Sequence, residues 1–476
     1  MKRVAQTLLP FKTEIMPKPL DATALAGLTL VLELMRAVFP KATYRTLRKA
    51  LGYSSRKTVQ RHLETLVLLV VAGGEHLDDV RILSADHGFV RLAGFDPTKP
   101  TQLKDFLYRF HQATDGRALA PEEDARLSHA GEATIRPEGP GLRALDDMLP
   151  LTLARSCTQR APRATLDIDA TILAAAKKTA LRAYEGTRGY QPQMAFWAET
   201  GMWLADQFRD GNVPAEFGIK DFLQRVVACA RRYADTLRLR GDSALYNEDA
   251  LTWLADEAHV EFAVSADMSE ALLAKCLALP EGAWQPYESL SGEPTEERQY
   301  AEVPDFVPGW RRTYKKHTQP LRYIAIRVRG RQRDILEGDD ARWRHFAVVT
   351  NMQWQGDRLL RWHREKQGTV EHAHGVMKHD LGGGCLPCGR FGANAAWWRL
   401  NALAHNLLQL LKRRALPDDM QRMRPKTLRF RLFHMAGIVV KHARTMVLKL
   451  SETHPCARVF IEAREVLAAM AREAPA

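Results

Sequence analysis

The sequence predicts a mixed α/β fold flanked by helical regions, and three observations predict it. Residues 165–172 alternate apolar and polar side chains, as a half-buried strand does. Further strand patterns alternate with an amphipathic helix between residues 193 and 265. Residues 1–150 and the chain after residue 356 instead repeat apolar side chains at helical spacing. With 476 residues, 46% of them hydrophobic, the chain is long enough for two or three domains.

The charge is basic and unevenly distributed. The formal net charge is +13, and the segment from Leu381 to the end alone has sixteen Lys and Arg against six Asp and Glu, a net of +10. Lys and Arg bind nucleic-acid phosphates with release of counterions, so a polyanionic partner is expected. A basic soluble protein without such a partner is the alternative.

Cysteine usage and hydropathy indicate the compartment. Six cysteines are scattered through the chain, and Met1-Lys2-Arg3 is followed by no apolar leader. The most apolar run, Leu66–Ala72, is too short to span a bilayer. We therefore expect a cytoplasmic protein that does not enter a membrane.

The N-terminal region, residues 1–150, is predicted to be mostly helical, with a candidate helix-turn-helix at residues 44–65. A first helix stops at Gly52, and Ser54 or Ser55 can cap a second helix that begins at residue 56. That helix starts with polar and basic side chains, as a DNA-reading helix does. The candidate DNA contacts are Arg56, Lys57 and Arg61. A small helical bundle without DNA contact has the same outline.

Residues 121–140 are rich in Glu, Gly, Pro and Arg and lack periodicity, which predicts a linker or an exposed loop. The strand at residue 165 then places Leu166 and Ile168 on one face and Asp167 and Asp169 on the other. Two acids on one strand face indicate either a solvated edge strand or a carboxylate held rigidly for a metal ion.

The following pattern predicts strands at 193–197, 203–208, 237–243 and 260–265, and helices at 218–235 and 247–259. The strand at 237–243 ends on another acid, Asp242. Residues 268–343 are rich in proline and tryptophan and contain a strictly alternating strand at 322–329, which predicts a β-rich insertion.

A helix after residue 356 combines acids, bases and histidines. If it is regular, Glu371, His374 or Gly375, and Lys378 share one face, which is either a solvated charge stripe or a site. A long helix follows at 393–412. Its Trp397-Trp398 pair is expected to pack in the core or an interface, with stacking on a flipped base as the alternative.

Asp169, Asp242 and Glu371 are separated by 73 and 129 residues and come from two strand ends and a late helix. Phosphodiester cleavage by two metal ions requires carboxylates from several elements, because no single loop can hold two Mg²⁺ roughly 3.5–4 Å apart. Cys385-Leu-Pro-Cys388 with nearby histidines offers zinc as another possibility, but a single C-x-x-C lacks the second ligand pair.

Several ordered blocks together resemble bacterial DDE-type insertion-sequence transposases, specifically the insertion-sequence "thirteen-eighty" family. The blocks are Leu166-Asp-Ile-Asp-Ala-Thr171, Tyr184-Glu-Gly-Thr-Arg-Gly-Tyr190, Arg240-Gly-Asp242-Ser, and Glu371 through Asn394, with Asp79-Val-Arg-Ile-Leu and Lys426-Thr-Leu-Arg-Phe-Arg nearer the ends. The resemblance covers most of the chain.

The resemblance implies an RNase H-like catalytic core (residues 160–267 and 344–412), the β-rich insertion at 268–343, and a basic helical C-terminal region at 413–476 that grips DNA. It implies two Mg²⁺ per site, with Mn²⁺ as a substitute, held by Asp169, Asp242 and Glu371. Asp167 is the alternative to Asp169. The implied reaction is cutting of transposon ends and strand transfer into target DNA by a homodimer on paired ends.

The related superfamily places a Tyr, an Arg and a Lys around the Glu. Lys378 matches the Lys position, whereas Arg364 and Gln367 stand at the Tyr and Arg positions. Arg364 or Lys366 is expected to serve as a phosphate clamp instead. Arg429 and Arg431, in the basic C-terminal region, complete the predicted DNA contacts.

Three other functions fit the same sequence. An RNase H-like nuclease or resolvase would cut DNA without joining it. A domesticated protein would bind DNA without catalysis, and a transcriptional regulator would act through the helix-turn-helix alone.

Overall fold

The computed structural model describes residues 15, 21–129, 131–287, 296–312, 321–330, 343–443 and 445–473. The helices before the central sheet are α1 (Leu28–Val38), α2 (Lys41–Ala50), α3 (Arg56–Ala72), α4 (Val80–Ala85), α5 (His87–Ala93), α6 (Pro100–Tyr108), α7 (Pro121–Leu127), α8 (Pro140–Asp146) and α9 (Met148–Ser156). The later helices are α10 (Ile219–Ala230), α11 (Glu248–Thr252), α12 (Glu270–Leu277), α13 (Gly309–Arg312), α14 (Gly356–Arg364), α15 (His372–Gly375), α16 (Phe391–Ala415), α17 (Asp418–Gln421), α18 (Pro425–Leu428) and α19 (Ala457–Met470).

The strands are β1 (Ala22–Thr23), β2 (Ala161–Ala170), β3 (Leu173–Ala174), β4 (Leu181–Arg182), β5 (Arg188–Tyr190), β6 (Gln193–Trp197), β7 (Met202–Gln207), β8 (Ala234–Gly241), β9 (Glu261–Ala266), β10 (Gln285–Pro286), β11 (Glu296–Val303), β12 (Arg322–Gly330), β13 (Arg344–Thr350), β14 (Gly437–His442) and β15 (Thr445–Leu450). The strands predicted at 193–197, 203–208, 237–243, 260–265 and 322–329 are present, with shifts of a few residues at most ends.

The central sheet has the order β10-β11-β12-β13-β9-β8-β2-β6-β7. Strands β2, β8 and β9 run parallel to one another, whereas β6 and β7 form an antiparallel meander beside β2. The segment β7-β6-β2-β8-β9, with these directions, is an RNase H-like core. The predicted fold class is thereby confirmed.

The strands of residues 268–343 extend this same sheet. β11 pairs with β12, β12 pairs with β13, and β13 pairs antiparallel with β9 at the edge of the core. The region is β-rich as predicted, and hydrogen bonding through β13 joins its described strands to the core. Residues 288–295, 313–320 and 331–342 of the predicted insertion lie outside the described residues.

Helix α16 lies at the centre of the hydrophobic core. Helices α3, α6, α8, α9 and α19 pack on it, so N-terminal and C-terminal helices share one apolar interior that runs from Leu25 to Met470. Trp397 and Trp398 are fully buried, and their indole N–H groups donate to the Gly382 carbonyl (3.3 Å) and to Met194 Sδ (3.2 Å). The pair packs in the core, as its helical spacing predicts.

Helices α2 and α3 form the predicted helix-turn-helix outline. Ser55 caps α3 by accepting the Thr58 backbone N–H at 3.4 Å, and Gly73 ends it with a left-handed φ of 98°. The second half of α3 is buried, whereas Lys57 in its first turn is exposed. The exposed part of this helix is therefore its basic start.

The prediction of a linker or exposed loop at residues 121–140 is partly confirmed. Helix α7 occupies its start, whereas the described residues between 128 and 139 form no helix or strand. Arg136 is buried, with ion pairs to Asp124 (2.5 Å) and Asp210 (2.9 Å). Glu138 binds the buried Arg399 at 2.8 Å. These ion pairs hold the segment to the rest of the protein, so it is not a free linker.

The predicted all-helical C-terminal region is also wrong over residues 437–450. Strands β14 and β15 form a hairpin, and β14 pairs with β1 near the N-terminus. Helix α19 then packs against α1. Val439 and Val440 favour a strand, but the surrounding basic residues hide the alternation.

No helix within the described ranges is both long and apolar enough to cross a membrane.

Candidate active site

Asp169 and Asp242 lie at the ends of neighbouring parallel strands, at the same edge of the sheet. Asp167 on β2 stands opposite Arg240 on β8, so the residues that follow each strand continue side by side. Asp169 is next to last in β2, and Asp242 comes directly after β8. The Asp242 carboxylate accepts the Ala244 backbone N–H at 3.1 Å, which orients it at the strand end.

Glu371 is presented by an irregular helix. The predicted continuous α-helix is interrupted by two π-helical turns, Gln367–Glu371 and Val376–Asp380. A π-turn has more residues than an α-turn, so the spacing of side chains around the axis changes. Glu371 ends the first of these turns.

Glu371 and Lys378 line two different clefts. Glu371 lines a cleft of about 620 Å³ together with Asp242 and Lys366. Lys378 lines a cleft of about 430 Å³ with Thr171 and Tyr184. The charges of both side chains interact with Asp169, and the prediction that they share one helix face stays a prediction.

Asp169 is electrostatically linked to both other acids. Burial raises its pKa to about 6, and the negative charges of Asp242 and Glu371 push the pKa in the same direction, whereas the Lys366 ammonium opposes them. The Asp169 side chain is 13% exposed and that of Asp242 is 50% exposed. Asp169 is thus enclosed by protein, whereas half of the Asp242 side chain is open to solvent.

Lys366 is the cation of this cluster. Its Nζ donates to Asp169 Oδ1 at 2.8 Å and lies 4.0 Å from Asp242 Oδ2. The side chain is buried, and although burial lowers the Lys366 pKa, the carboxylates of Asp169, Asp242 and Glu371 raise it overall. The sequence predicts Lys366 as a phosphate clamp, but its position between two carboxylates was not foreseen.

Asp167, the alternative to Asp169, faces a different environment. Arg240 donates to both of its carboxylate oxygens, at 2.6 and 2.9 Å, and the Thr369 hydroxyl donates to it as well. Arg240 also binds Glu365 at 3.1 Å. Asp167 is fully buried and both of its carboxylate oxygens are already bound by the protein.

His374, one of the two residues that regular helical spacing places on a face with Glu371, lies beside Asp169. Its Nε2 lies 3.5 Å from Asp169 Oδ2, and within the described part of the chain neither ring nitrogen has a hydrogen-bond partner. Burial, followed by the charges of Lys378 and Lys366, lowers its pKa to about 3. The ring is therefore neutral at pH 7. Its spacing of three residues from Glu371 was the available signal.

The donor set suits a hard divalent cation. Carboxylate oxygens are the ligands that Mg²⁺ prefers, and the space between Asp169 and Asp242 already holds a positive charge, that of Lys366. In this conformation, no three His, Cys, Asp or Glu side chains among the described residues lie close enough to share one ion. By their donor chemistry, the three acids therefore fit a divalent cation.

The predicted DNA contacts fall into separate places. Arg364 lines the cleft of Asp242 and Glu371. Arg56, Lys57 and Arg61 line another cleft, of about 360 Å³, at the start of α3. Arg431 is exposed at the surface.

Arg429 is the exception among these basic residues. Its guanidinium donates to the carbonyls of Val71 (2.6 Å), Val70 (3.2 Å) and Asp380. These bonds tie the end of α3 to the helix that bears Glu371. Arg429 therefore stabilises the fold, and the prediction that it contacts DNA is not supported.

The two cysteines of the C-x-x-C sequence have separate surroundings. Cys388 is buried, and its Sγ accepts the Arg390 backbone N–H at 3.4 Å. Cys385 Sγ lies 3.8 Å from a carboxylate oxygen of Glu75.

The chain is similar to a solved transposase structure and matches a family model. The structure is similar to piggyBac transposase in a cryo-EM structure of its synaptic complex with hairpin DNA, with a TM-score of 0.46 and 10% identity over 85% of this chain and 79% of that chain. No curated protein sequence matches the chain. The family model "Transposase DDE domain group 1" matches residues 21–472. The chain therefore belongs to the DDE transposase family, domain group 1.

Proposed function

We propose that this transposase cuts transposon ends and joins the freed 3′-hydroxyl to target DNA by two-metal-ion phosphoryl transfer. The observation that supports the proposal is the position of Asp169 and Asp242 at adjacent strand ends, on either side of the Lys366 ammonium, which interacts with the Glu371 carboxylate as well. DDE transposase domains generally use divalent metal ions, and this donor set suits one.

Asp169, Asp242 and Glu371 would hold two Mg²⁺, with Mn²⁺ as a substitute. When bound, the ions would activate the attacking oxygen and stabilise the leaving oxygen. In the first step, water attacks the phosphodiester at the transposon end and a 3′-hydroxyl leaves. In the second, that 3′-oxygen attacks a target phosphodiester, and the target's own 3′-oxygen leaves.

Basic residues on both sides of the acids would position the DNA. Lys378 would hold a phosphate from the cleft of Thr171 and Tyr184, and Arg364 from the cleft of Glu371. Arg56, Lys57 and Arg61 would contact DNA at the start of α3, and Arg431 at the C-terminal surface, and the net charge of +13 favours such contacts.

The narrower assignments belong to the same proposal. We place the protein in the insertion-sequence "thirteen-eighty" family of bacteria, acting at the nucleoid in the cytoplasm. A homodimer would hold the two ends together, because both must be cut and joined in one event.

The experiment that tests the function uses the DNA flanking the gene. Matched inverted repeats in that DNA provide the substrate, which is end-labelled and incubated with the protein, Mg²⁺ and a target plasmid. The proposal expects cut ends and larger joined products. Cut ends without joined products would instead identify a nuclease or resolvase.

An inactive DNA-binding protein is separated by the same assay. It would retain the labelled repeat in a mobility-shift gel and yield no Mg²⁺-dependent product. Such a result would contradict the proposed function, whatever the affinity for the repeat.

A further inference from the structure

Lys366 has an unusual place for a basic residue of a DNA-cutting enzyme. Its ammonium lies against Asp169 at 2.8 Å and within 4.0 Å of Asp242, and not on the open surface where a phosphate would first arrive. The side chain is 7% exposed. It starts from the residue just before the π-turn that ends at Glu371.

Lys366 is the charged partner that holds Asp169. Among the described side chains, those within ion-pair distance of Asp169 are Lys366 and His374. The Lys366 ammonium donates to Asp169 at 2.8 Å, whereas within the described part of the chain neither ring nitrogen of His374 makes a hydrogen bond. Arg240 on β8 is bound to Asp167 and Glu365 instead.

The position of the Lys366 ammonium between two carboxylates has an electrostatic reason. Two carboxylates that approach one another in a partly buried site repel, and a cation between them lowers the free energy of that arrangement. A divalent ion does the same with twice the charge. An ammonium and a divalent ion cannot occupy the same space between Asp169 and Asp242, and they repel each other when close.

We propose that Lys366 is a built-in counter-ion that holds the metal position between Asp169 and Asp242 in the free protein and leaves it when a divalent ion binds. The inference rests on the proposed metal ligation by these acids. It goes beyond that function because it makes metal entry a competition with a residue of the chain.

The cleft offers the displaced ammonium a second partner. The cleft of about 620 Å³ is lined by Lys366 itself, together with Arg364, Asp242 and Glu371. A DNA phosphate in this cleft would meet the displaced ammonium, which exchanges a carboxylate for a phosphate oxygen. Bound DNA therefore favours the displaced position, and metal and DNA bind with positive cooperativity.

The test measures metal affinity without DNA. Mn²⁺ binding to the full chain is followed by electron paramagnetic resonance for the wild type, Lys366→Met and Lys366→Gln. The matched control is Arg364→Met, which removes a cation of the same cleft that has no ion pair with the three acids among the described contacts. Asp169→Asn removes the ligand.

The expected result is that both Lys366 variants bind Mn²⁺ about tenfold tighter than the wild type, an effect on the order of one ion pair. Arg364→Met changes the affinity by much less, and Asp169→Asn weakens it. The Lys366 variants are also expected to be less stable than the wild type without metal and to gain more stability when Mn²⁺ is added.

Two outcomes of the Mn²⁺ binding measurement separate the counter-ion role of Lys366 from the proposed function. Equal or weaker Mn²⁺ binding by both Lys366 variants, with Asp169→Asn still weakening it, overturns the counter-ion role and leaves the proposed function standing. Mn²⁺ binding that Asp169→Asn does not weaken would show that the acids are not ligands, and both proposals then fail. If Lys366→Met does not fold, Lys366→Gln and Mn²⁺-dependent thermal shifts give the same decision.

Discussion

Arg240 lies with Nε 2.6 Å from one carboxylate oxygen of Asp167 and Nη2 2.9 Å from the other, and both side chains are buried. Asp169, two residues further along β2, has Lys366 and His374 as its charged or polar neighbours instead. The same strand thus carries one acid bound by two hydrogen bonds of a guanidinium and one acid bound by a single hydrogen bond of an ammonium.

The first prediction separates these two acids. Asp167→Asn removes the bidentate partner of the buried Arg240 and leaves the half-exposed Glu365 as its charged partner among the described residues, so we expect the free energy of unfolding to fall by about 3 kcal/mol. Asp169→Asn removes a partly buried carboxylate with a raised pKa, so a much smaller loss of stability is expected, with loss of DNA cleavage. Urea unfolding of the two variants measures the difference. Equal losses of stability would contradict the separate roles.

The second prediction concerns the start of α3. Lys57 is exposed in the first turn of this helix and lines a basic cleft. If it contacts a DNA phosphate, Lys57→Ala will lower the affinity and reduce the slope of log K against log salt concentration by about one. Fluorescence anisotropy at several salt concentrations measures it.

The control for that experiment is Lys275→Ala, which removes another exposed lysine, on α12. We expect it to leave the salt slope unchanged. The same slope for Lys57→Ala and wild type would show that α3 does not contact DNA.

The third prediction assigns different roles to two neighbouring arginines. Arg429→Ala removes bonds to the carbonyls of Val70, Val71 and Asp380, and we expect a loss of about 1–3 kcal/mol of stability. The exposed Arg431 has no such role, so Arg431→Ala should change stability by less than about 0.5 kcal/mol while weakening DNA binding. Thermal unfolding and a DNA titration are measured for both. Reversed effects would contradict the assignment.

The fourth prediction is a pH dependence of stability. His405 is buried, its Nε2 lies 2.9 Å from the Gly201 carbonyl, and burial lowers its pKa to about 4. Because the folded pKa lies below the ordinary value, the unfolded chain binds the proton first as the pH falls. Stability from this residue is therefore present above pH 6.5 and declines between pH 6.5 and 4, at up to about 1.4 kcal/mol per pH unit.

His405→Gln keeps a donor for Gly201 but does not titrate. We expect urea unfolding of this variant at pH 7, 6 and 5 to show a shallower decline than that of the wild type. An identical slope would mean that His405 does not take up a proton on unfolding.

The sequence predicts the parts of the site that depend on local pattern. Alternation around Leu166 predicts strand β2 and places both Asp167 and Asp169 on one of its faces, and the strand pattern at 237–243 ends on Asp242. The choice of Asp169 over Asp167 rests on the family resemblance and not on the pattern.

The remaining features depend on long-range contacts. Lys366 and Asp169 are 197 residues apart, and the π-turn that brings them together has no sequence signal in a 3.6-residue pattern. In the sequence, Arg429 is a basic residue typical of a DNA contact. Its hydrogen bonds to backbone carbonyls indicate that it stabilises the fold. The hairpin of β14 and β15 is similarly hidden, because its basic residues are typical of an exposed helix as well as of an exposed strand.

We propose that Asp242 acts with Asp169 and Glu371 in metal-dependent DNA cleavage. The most direct measurement is the Mg²⁺-dependent rate of end cleavage by Asp242→Asn, compared with Asp249→Asn, the same substitution at an exposed acid of α11. We predict a rate more than about a hundredfold below that of the wild type for Asp242→Asn, and a nearly unchanged rate for Asp249→Asn. Cleavage by Asp242→Asn at the wild-type rate would contradict the account.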